Sequence, residues 1–495
     1  MSNTVKLQSM PADAGGPFGA MVNLMSRVSG ESLIDQLVRL IVARIDDKLL
    51  RSGARMPSIR QFARLHQVSC ATVVQSYDRL VAHGYLESRR GAGFFVRERA
   101  PMRSGGSAVH AGDQTSAQQL DVVWLVRNMF RQLPPEKMPG AGLLPPNWLD
   151  GELIVNGLRA ISRQHQDMLL NYGTPQGYLP LRQQLQMKLA ELEISATTDQ
   201  IVTTSGVTQA LDLVAREFTQ PGDTIFVDDP AWFLMFGSFA ALGAKVVGIP
   251  RLSDGPDIEQ LAQLAALHRP KIFVINSVLH NPSSSSLSAA KAFQILKIAE
   301  EFNFALVEDD IYCDMHPGPA VQSATRLATL DQLRRVIYLG GFSKTLSANL
   351  RVGFIATSQA MATRLADRKM LTTLTTTEIG ERVVYKILSE GRYRKHVERI
   401  RTRLDVARAR TVKHLDRLGL RVDAVPTAGM FLWVDAACDT NVLTERAMEQ
   451  GILLAPGSLF SPAQLPSTRM RINVAAMQDA GVLRFFEEQL RLVRK

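Results

Sequence analysis

Short runs rich in β-branched and aromatic residues, at 224–228, 271–276, 305–308 and 336–339, are separated by stretches of helical spacing at 231–242 and 288–301. Strands joined through helices are not hairpin partners, so this alternation predicts a mostly parallel sheet covered by helices. A parallel sheet has a chemical consequence. The loops leaving the carboxyl ends of its strands gather along one edge, and in open α/β sheets that edge is where ligands bind. Chemistry in this chain is therefore expected just after those runs.

The 495 residues leave room for more than this sheet. Residues 98–119, with Pro101, Gly105, Gly106, Ser107 and Gly112, have no hydrophobic period and read as a linker. Residues 1–28 lack one too and read as a loose arm, leaving a first domain at 29–97 and a second at 120–495. No apolar run nears the roughly 18–20 residues of a membrane span. Pro11, Gly15, Gly16 and Pro17 break the start before a signal-like stretch develops, so the chain is expected to be cytoplasmic, without a membrane partner. Cys70, Cys313 and Cys438 lie far apart with no CxxC or His-rich spacing, and neither a disulfide framework nor a metal site is expected.

The net charge of +10 is uneven: residues 1–100 hold 14 Lys and Arg against 8 Asp and Glu, which leaves +4 on the other 395. A basic head on a near-neutral body suits an anionic polymer. A second basic run, 392–413, has nine Lys and Arg and is predicted to be a long helix with its charges in solvent.

Within the head, Leu33, Ile34, Leu37, Val38, Ile41, Val42, Ile45 and Leu49 recur at the spacing of an amphipathic helix. Met56-Pro57-Ser58-Ile59-Arg60 then predicts a loop and a second helix capped by Ser58 and packed through Ile59, Phe62 and Ala63. Ser69 caps a third helix with Val73, Val74, Tyr77 and Leu80 inward. Cys70, Ala71, Thr72 and Gln75 are left outward at its N-terminal end, the end that enters a major groove in helix-turn-helix proteins. Tyr85-Leu86-Glu87-Ser88 and Phe94-Phe95-Val96 flank Arg89-Arg90-Gly91-Ala92-Gly93, a hairpin whose two arginines precede a glycine tip and can reach phosphate or minor groove.

By spacing alone, three helices and a hairpin serve protein contacts as readily as DNA. Residues 33–96, however, resemble the winged helix-turn-helix of GntR regulators along their whole length. Residues 56–60 are similar to a Leu-Pro-Ser-x-Arg motif, and 68–73 match Val-Ser-x-x-Thr-Val. The resemblance implies a double-stranded DNA operator as partner, touched by Arg60, Ser69, Thr72 and Gly91. Cys70 stands where the family usually has arginine, which removes a phosphate or guanine contact.

In the body, Glu308-Asp309-Asp310-Ile311-Tyr312 and Gly340-Gly341-Phe342-Ser343-Lys344 each follow a strand-like run. Thr204-Ser205-Gly206-Val207-Thr208-Gln209 opens an apolar helix, offering backbone N–H groups and a hydroxyl that suit a phosphate. Asn281-Pro282 and Asp228-Asp229-Pro230-Ala231-Trp232 follow two more runs. Pyridoxal phosphate chemistry calls for these residue types: a lysine amine for the aldehyde, a carboxylate at the ring nitrogen, an arginine and amides for the phosphate, an aromatic over the ring, and Asn and Tyr at its phenolic oxygen. Singly, Asp309 reads as a helix cap, Trp232 as a core aromatic and Arg351 as a surface ion pair. Jointly, in this order on one edge, they read as a site.

From about residue 142 to the C-terminus the chain resembles the fold-type I aminotransferases, and their union with a GntR head is the pattern of the MocR subfamily. The resemblance implies an α/β body with a smaller C-terminal α+β subdomain, pyridoxal 5'-phosphate as cofactor and a homodimer. Lys344 would be the Schiff-base lysine, Asp309 the partner of the pyridine nitrogen, and Tyr312 and Asn281 the partners of the ring oxygen. Trp232 would replace a usual tyrosine over the ring. Gly206, Val207, Thr208, Ser343 and Arg351 would hold the phosphate, Tyr172 would reach the partner subunit's phosphate, and Arg471 would grip a substrate carboxylate. Two departures weaken phosphate holding: Gly341 replaces a Ser or Thr, and Asn281-Pro282-Ser283-Ser284 replaces Asn-Pro-Thr-Gly. The expectation is a transcription regulator sensing pyridoxal phosphate or an amino-acid-like effector. An active aminotransferase with a DNA-binding appendage is its rival. A dimerisation body without cofactor is a third reading, but a scaffold needs none of Lys344, Asp309 and Arg351.

Overall fold

The computed structural model describes residues 31–97, 127, 133–163, 170–318, 324–422 and 424–493; the arm at 1–28 and the linker at 98–119 lie outside them. The chain divides into two compact units, Met1–Ala117 and Gln118–Lys495.

The first unit holds α1 (Leu33–Asp46), α2 (Ile59–His66), α3 (Cys70–Ala82) and a hairpin of β1 (Leu86–Arg89) and β2 (Gly93–Val96). Each helix starts on a serine whose hydroxyl accepts a first-turn N–H: Ser32 from Asp35, Ser58 from Gln61 and Ser69 from Thr72. Such caps stabilise a helix by about 1 kcal/mol. Leu37, Ile41, Phe62, Val73, Tyr77, Leu80 and Leu86 form the core, and the Tyr77 hydroxyl donates to the Pro57 carbonyl at 3.1 Å. Two expectations shift. Val74 is 38 % exposed, because the inward face of α3 runs through Val73, Ser76, Tyr77 and Leu80 and residue 74 falls one step off it. Leu49 is 59 % exposed, since α1 stops at Asp46 and Lys48 turns the chain at φ 59°.

The second unit is built on an eight-stranded sheet: β3 (Ile201–Thr204), β4 (Thr224–Asp229), β5 (Lys245–Leu252), β6 (Gly255–Pro256), β7 (Ile272–Ile275), β8 (Ala305–Asp309), β9 (Val336–Gly341) and β10 (Gly353–Ala356). Its order is β3-β10-β9-β8-β7-β4-β5-β6. Strands β9, β8, β7, β4 and β5 are parallel neighbours, while β10 runs antiparallel to both β3 and β9. Alternate side chains feed two different cores: Val227, Val274, Val307 and Ile337 on one face, Phe226, Phe273, Leu306 and Tyr338 on the other. Both faces being buried explains runs that are apolar throughout and not alternating. A smaller antiparallel sheet follows, with β11 (Arg421–Val422), β12 (Phe431–Asp435), β13 (Ala455–Pro456) and β14 (Arg469–Asn473) in the order β11-β12-β14-β13.

The basic run is a helix, Arg392–Leu418, but its charges are not all in solvent. Arg401 donates to the Asp314 carbonyl at 2.8 Å and Arg403 to that of Asn147 at 3.1 Å. Arg408 is buried on the carbonyls of Thr427 and Gly429 at 2.6 and 3.1 Å. Long guanidinium stems let one face of a charged helix clamp neighbouring loops. Among the described residues no helix is long and apolar enough to cross a membrane.

Candidate cofactor site

Five strand ends converge. Asp309 is the last residue of β8, Lys344 lies three beyond β9, the loop after β7 leads to Asn281, that after β4 to Trp232, and β3 feeds the helix Gly206–Phe218 through Ser205. Val207, Thr208, Trp232, Asn281, Asp309, Tyr312, Ser343, Lys344 and Arg351 line one cavity of about 70 Å³. Tyr172 is not on its wall and stands 81 % exposed.

At one end the backbone itself forms the cradle. Gly206 has φ 76°, and a Cβ there would fall 2.8 Å from Arg351 Nη2; one on Gly353 would fall 2.7 Å from the Gly206 carbonyl carbon. Glycine is required at both positions for the helix start to approach this closely. Arg351 itself is held at φ 51°, and its Nη2 donates to the Ser205 carbonyl at 2.9 Å. A left-handed arginine costs about 1 kcal/mol, which is tolerated where the guanidinium is brought to a helix N-terminus. The positive end of that helix, free N–H groups, the Thr208 hydroxyl and the guanidinium together make an anion site.

The other end is buried. Burial pushes the Asp309 carboxyl up to about 6 against the Ile311 N–H that it accepts at 3.2 Å. Burial and the nearby Arg471 bring the Lys344 amine down to about 8, opposed by Asp309. Lys344 Nζ donates to the Gly142 carbonyl at 2.9 Å. Asn281 Nδ2 reaches the Tyr312 hydroxyl at 3.4 Å, and burial raises that phenol. Arg471 is 2 % exposed and lies over the rings of Phe431 and Phe460. Its Nη1 donates to Asn281 Oδ1 at 2.8 Å and its Nη2 to the Gly140 carbonyl at 2.6 Å, while Nε has no partner among the described residues. Burial draws this guanidinium down to about 10.

Sequence reasoning missed three contributors. Asn276 lines the cavity and donates to the Asp309 carbonyl; Ile311 also lines it. The segment 140–142 supplies the carbonyls that hold Arg471 and Lys344, and only its Gly-Ala-Gly composition signalled a close backbone approach. Gly341 is tightly surrounded: a Cβ there would meet Ile311 Cδ1 at 3.0 Å and the Val352 carbonyl at 3.2 Å, so a larger residue requires its neighbours to give by a few tenths of an ångström.

In the head, Arg60, Ser69, Arg89, Arg90 and Gly91 are exposed and Thr72 is half-buried. The Ser69 and Thr72 hydroxyls bond each other at 2.8 Å. Arg89 pairs with Glu87 and lies 4.5 Å over the Phe95 ring, and Gly91 takes φ 75° at the hairpin tip.

The family profile for aminotransferase class I and II matches residues 146–488. The chain belongs to that family. The profile for bacterial regulatory proteins of the gntR family matches residues 33–96, so this aminotransferase-family chain pairs a GntR helix-turn-helix with its body, the MocR arrangement. It is 27 % identical over 459 residues to the uncharacterized HTH-type transcriptional regulator YdfD of Bacillus subtilis, covering 90 % of this chain and 93 % of that one. The body is 29 % identical over 354 residues to aromatic-amino-acid aminotransferase 1 of Thermococcus litoralis, covering 69 % and 84 %. Its fold matches the kynurenine aminotransferase of Pyrococcus horikoshii with a TM-score of 0.68 at 26 % identity, over 77 % of this chain and 96 % of that one. A fold-type I aminotransferase domain implies pyridoxal phosphate. The donor set fits it: an amine, a carboxylate, a phenol with an amide, and a glycine cradle beside a guanidinium.

Proposed function

We propose that the protein is a DNA-binding transcription regulator that senses pyridoxal phosphate, or an amino compound reacting with it, through its aminotransferase body. The observation that carries this reading is one cavity uniting Lys344, Asp309, Tyr312, Asn281 and Arg351 in a chain with a GntR head. Bound pyridoxal phosphate supplies an aldehyde for amines and a ring that withdraws electrons. Lys344, with its amine drawn down to about 8, is about one tenth neutral at pH 7, far more than an ordinary lysine, and serves as the resident amine. With the cofactor bound, Asp309 would hold a proton at the ring nitrogen, Asn281 and Tyr312 would fix the ring oxygen, and Gly206, Val207, Thr208, Ser343 and Arg351 would hold the phosphate.

An effector carboxylate takes Arg471 in place of the Gly140 carbonyl and Asn281, so segment 140–142 must shift when it binds. Lys344 holds the same segment through Gly142, so losing the lysine's bond and engaging Arg471 act on one element. A ligand acts on DNA binding only through such a difference between two states.

A homodimer completes the reading. Leu170, Tyr172, Leu371 and Leu374 are exposed apolar residues, and Gly173 lies against Glu378 and the Thr376 carbonyl, next to the segment that carries Leu374. A second copy would cover them and take Tyr172 to its own phosphate site. Mobility shift of the neighbouring promoter, with and without pyridoxal phosphate and a panel of amino acids, tests the regulator. An operator complex indifferent to every combination would refute it. Sedimentation tests the dimer, which a monomer at micromolar concentration would exclude. The intact set of Lys344, Asp309 and Arg471 also suits a working aminotransferase; steady turnover of amino donor and keto acceptor would favour that second reading.

A further inference from the structure

Behind the loop that carries Asn281 lies a second cavity, of about 560 Å³, whose wall includes Arg251, Ser283, Ser285, Trp433 and Arg469. It sits between β5 of the large sheet and β12 and β14 of the small one. Among the described residues its lining contains two guanidinium groups, a run of serines and no carboxylate. The Arg251 side chain is 2 % exposed, with Nη1 on Asp228 at 2.8 Å and Nε on Ser285 Oγ at 3.3 Å. Its Nη2 is buried without a partner among the described residues. A buried donor left unmade is unfavourable, the more so when charged, so an acceptor brought to this nitrogen is favoured.

The serine run is itself unusual. Ser284 occupies φ 55°, a conformation that glycine adopts without strain, and its hydroxyl accepts the Phe431 N–H at 3.3 Å. The wall of the cavity is thereby bonded to β12, at a cost in backbone strain of about 1 kcal/mol. Ser283 is bonded to His280 Nδ1 at 2.8 Å, and burial keeps that ring neutral. Leu252, Pro426 and Trp433 add apolar surface to the same wall.

We propose that this cavity is a second small-molecule site, taking an oxyanion on an apolar, ring-bearing body. The carboxylate or phosphate meets Arg251, Arg469 and the serine hydroxyls, and the body lies against Trp433. The site shares no lining residue with the cofactor cavity among the described residues.

Fluorescence titration and calorimetry of the full-length protein with benzoate and with phenyl phosphate test it. At least one of the two should bind saturably, once per chain, at millimolar concentration or below; which one binds identifies the headgroup. The accompanying tryptophan quench should vanish in Trp433→Phe and persist in Trp232→Phe. Arg469→Gln should weaken binding by about tenfold, and Ser285→Ala should weaken it less, whereas Lys344→Ala and Arg351→Ala should leave it intact. Loss in the last two variants with retention in Arg469→Gln would place the anion in the cofactor cavity and overturn the proposal. A quench that survives Trp433→Phe, or no saturable binding of either anion, would overturn it as well.

Discussion

The two units carry their functional groups in opposite environments. In the head, Arg60, Arg89 and Arg90 stand in solvent on a small core. In the body, Asp309 and Arg471 are buried and Lys344 is half-buried, and each has its ionisation moved by burial. Exposed charges act collectively, are screened by salt and are individually worth little. Buried ones act singly, because removing one leaves its partners desolvated and unpaired. Substitutions should therefore be near all-or-none in the body and graded in the head.

The largest expected effect is at Lys344. Borohydride reduction of the cofactor-treated protein, followed by peptide mass mapping, should find the pyridoxyl label on Lys344 and nowhere else. Lys344→Ala should carry none, and its affinity for DNA without cofactor should match wild type. A label on another lysine, or wild-type labelling of the variant, would break the distinction between a site of single decisive groups and a distributed one. Next comes Asp309→Ala, which removes one charge-assisted bond to the ring nitrogen. Such a loss weakens cofactor retention by about 10–100-fold, measurable by equilibrium dialysis. Retention equal to wild type would mean that another carboxylate, Glu308 or Asp310, performs the role.

Those neighbours show what the sequence conveyed and what it withheld. Three acids stand in a row, and the run before them predicts a strand at 305–308 that brings the acids to its carboxyl end. Only the structure separates their environments. Glu308 turns away to the N–H groups of Leu327 and Ala328, Asp310 pairs with Arg326, and Asp309 alone of the three lines the cavity. Periodicity assigns a face, and these partners come from the start of the short helix Leu327–Asp331, which it cannot register against the strand. The same limit hid the segment 140–142, whose contribution is backbone carbonyls. It also misplaced Val74, where a run of two valines left the inward face of α3 ambiguous by one residue.

The buried lysine gives a pH signature. Its amine titrates at about 8, so the neutral, reactive form grows as pH rises towards that value and levels off above it. Asp309 passes to its anion lower, near 6, and is charged through this window. The rate of cofactor incorporation should rise about tenfold between about pH 7 and 9 and flatten, as the neutral fraction of such an amine does. A solvent-like lysine would keep climbing past pH 10. Stopped-flow absorbance across this range separates the two, and continued climbing would show that Lys344 is not desolvated before the cofactor arrives.

The smallest single effects belong to the head, where they sharpen the comparison by their regularity. If Arg60 and Arg90 each neutralise one phosphate, Arg60→Ala and Arg90→Ala should each flatten the log–log dependence of affinity on salt by about one. The double variant should flatten it by about two, because separated solvent-exposed contacts add. Arg89→Ala should cost somewhat more than either, since Arg89 also pairs with Glu87 and covers Phe95, and losing it loosens the hairpin that presents Arg90. Fluorescence anisotropy with an operator duplex over a salt series gives all four slopes. Loss of binding at every salt concentration in any one of the single variants would mean that an exposed arginine behaves as a buried one, and the contrast between the two units would not hold.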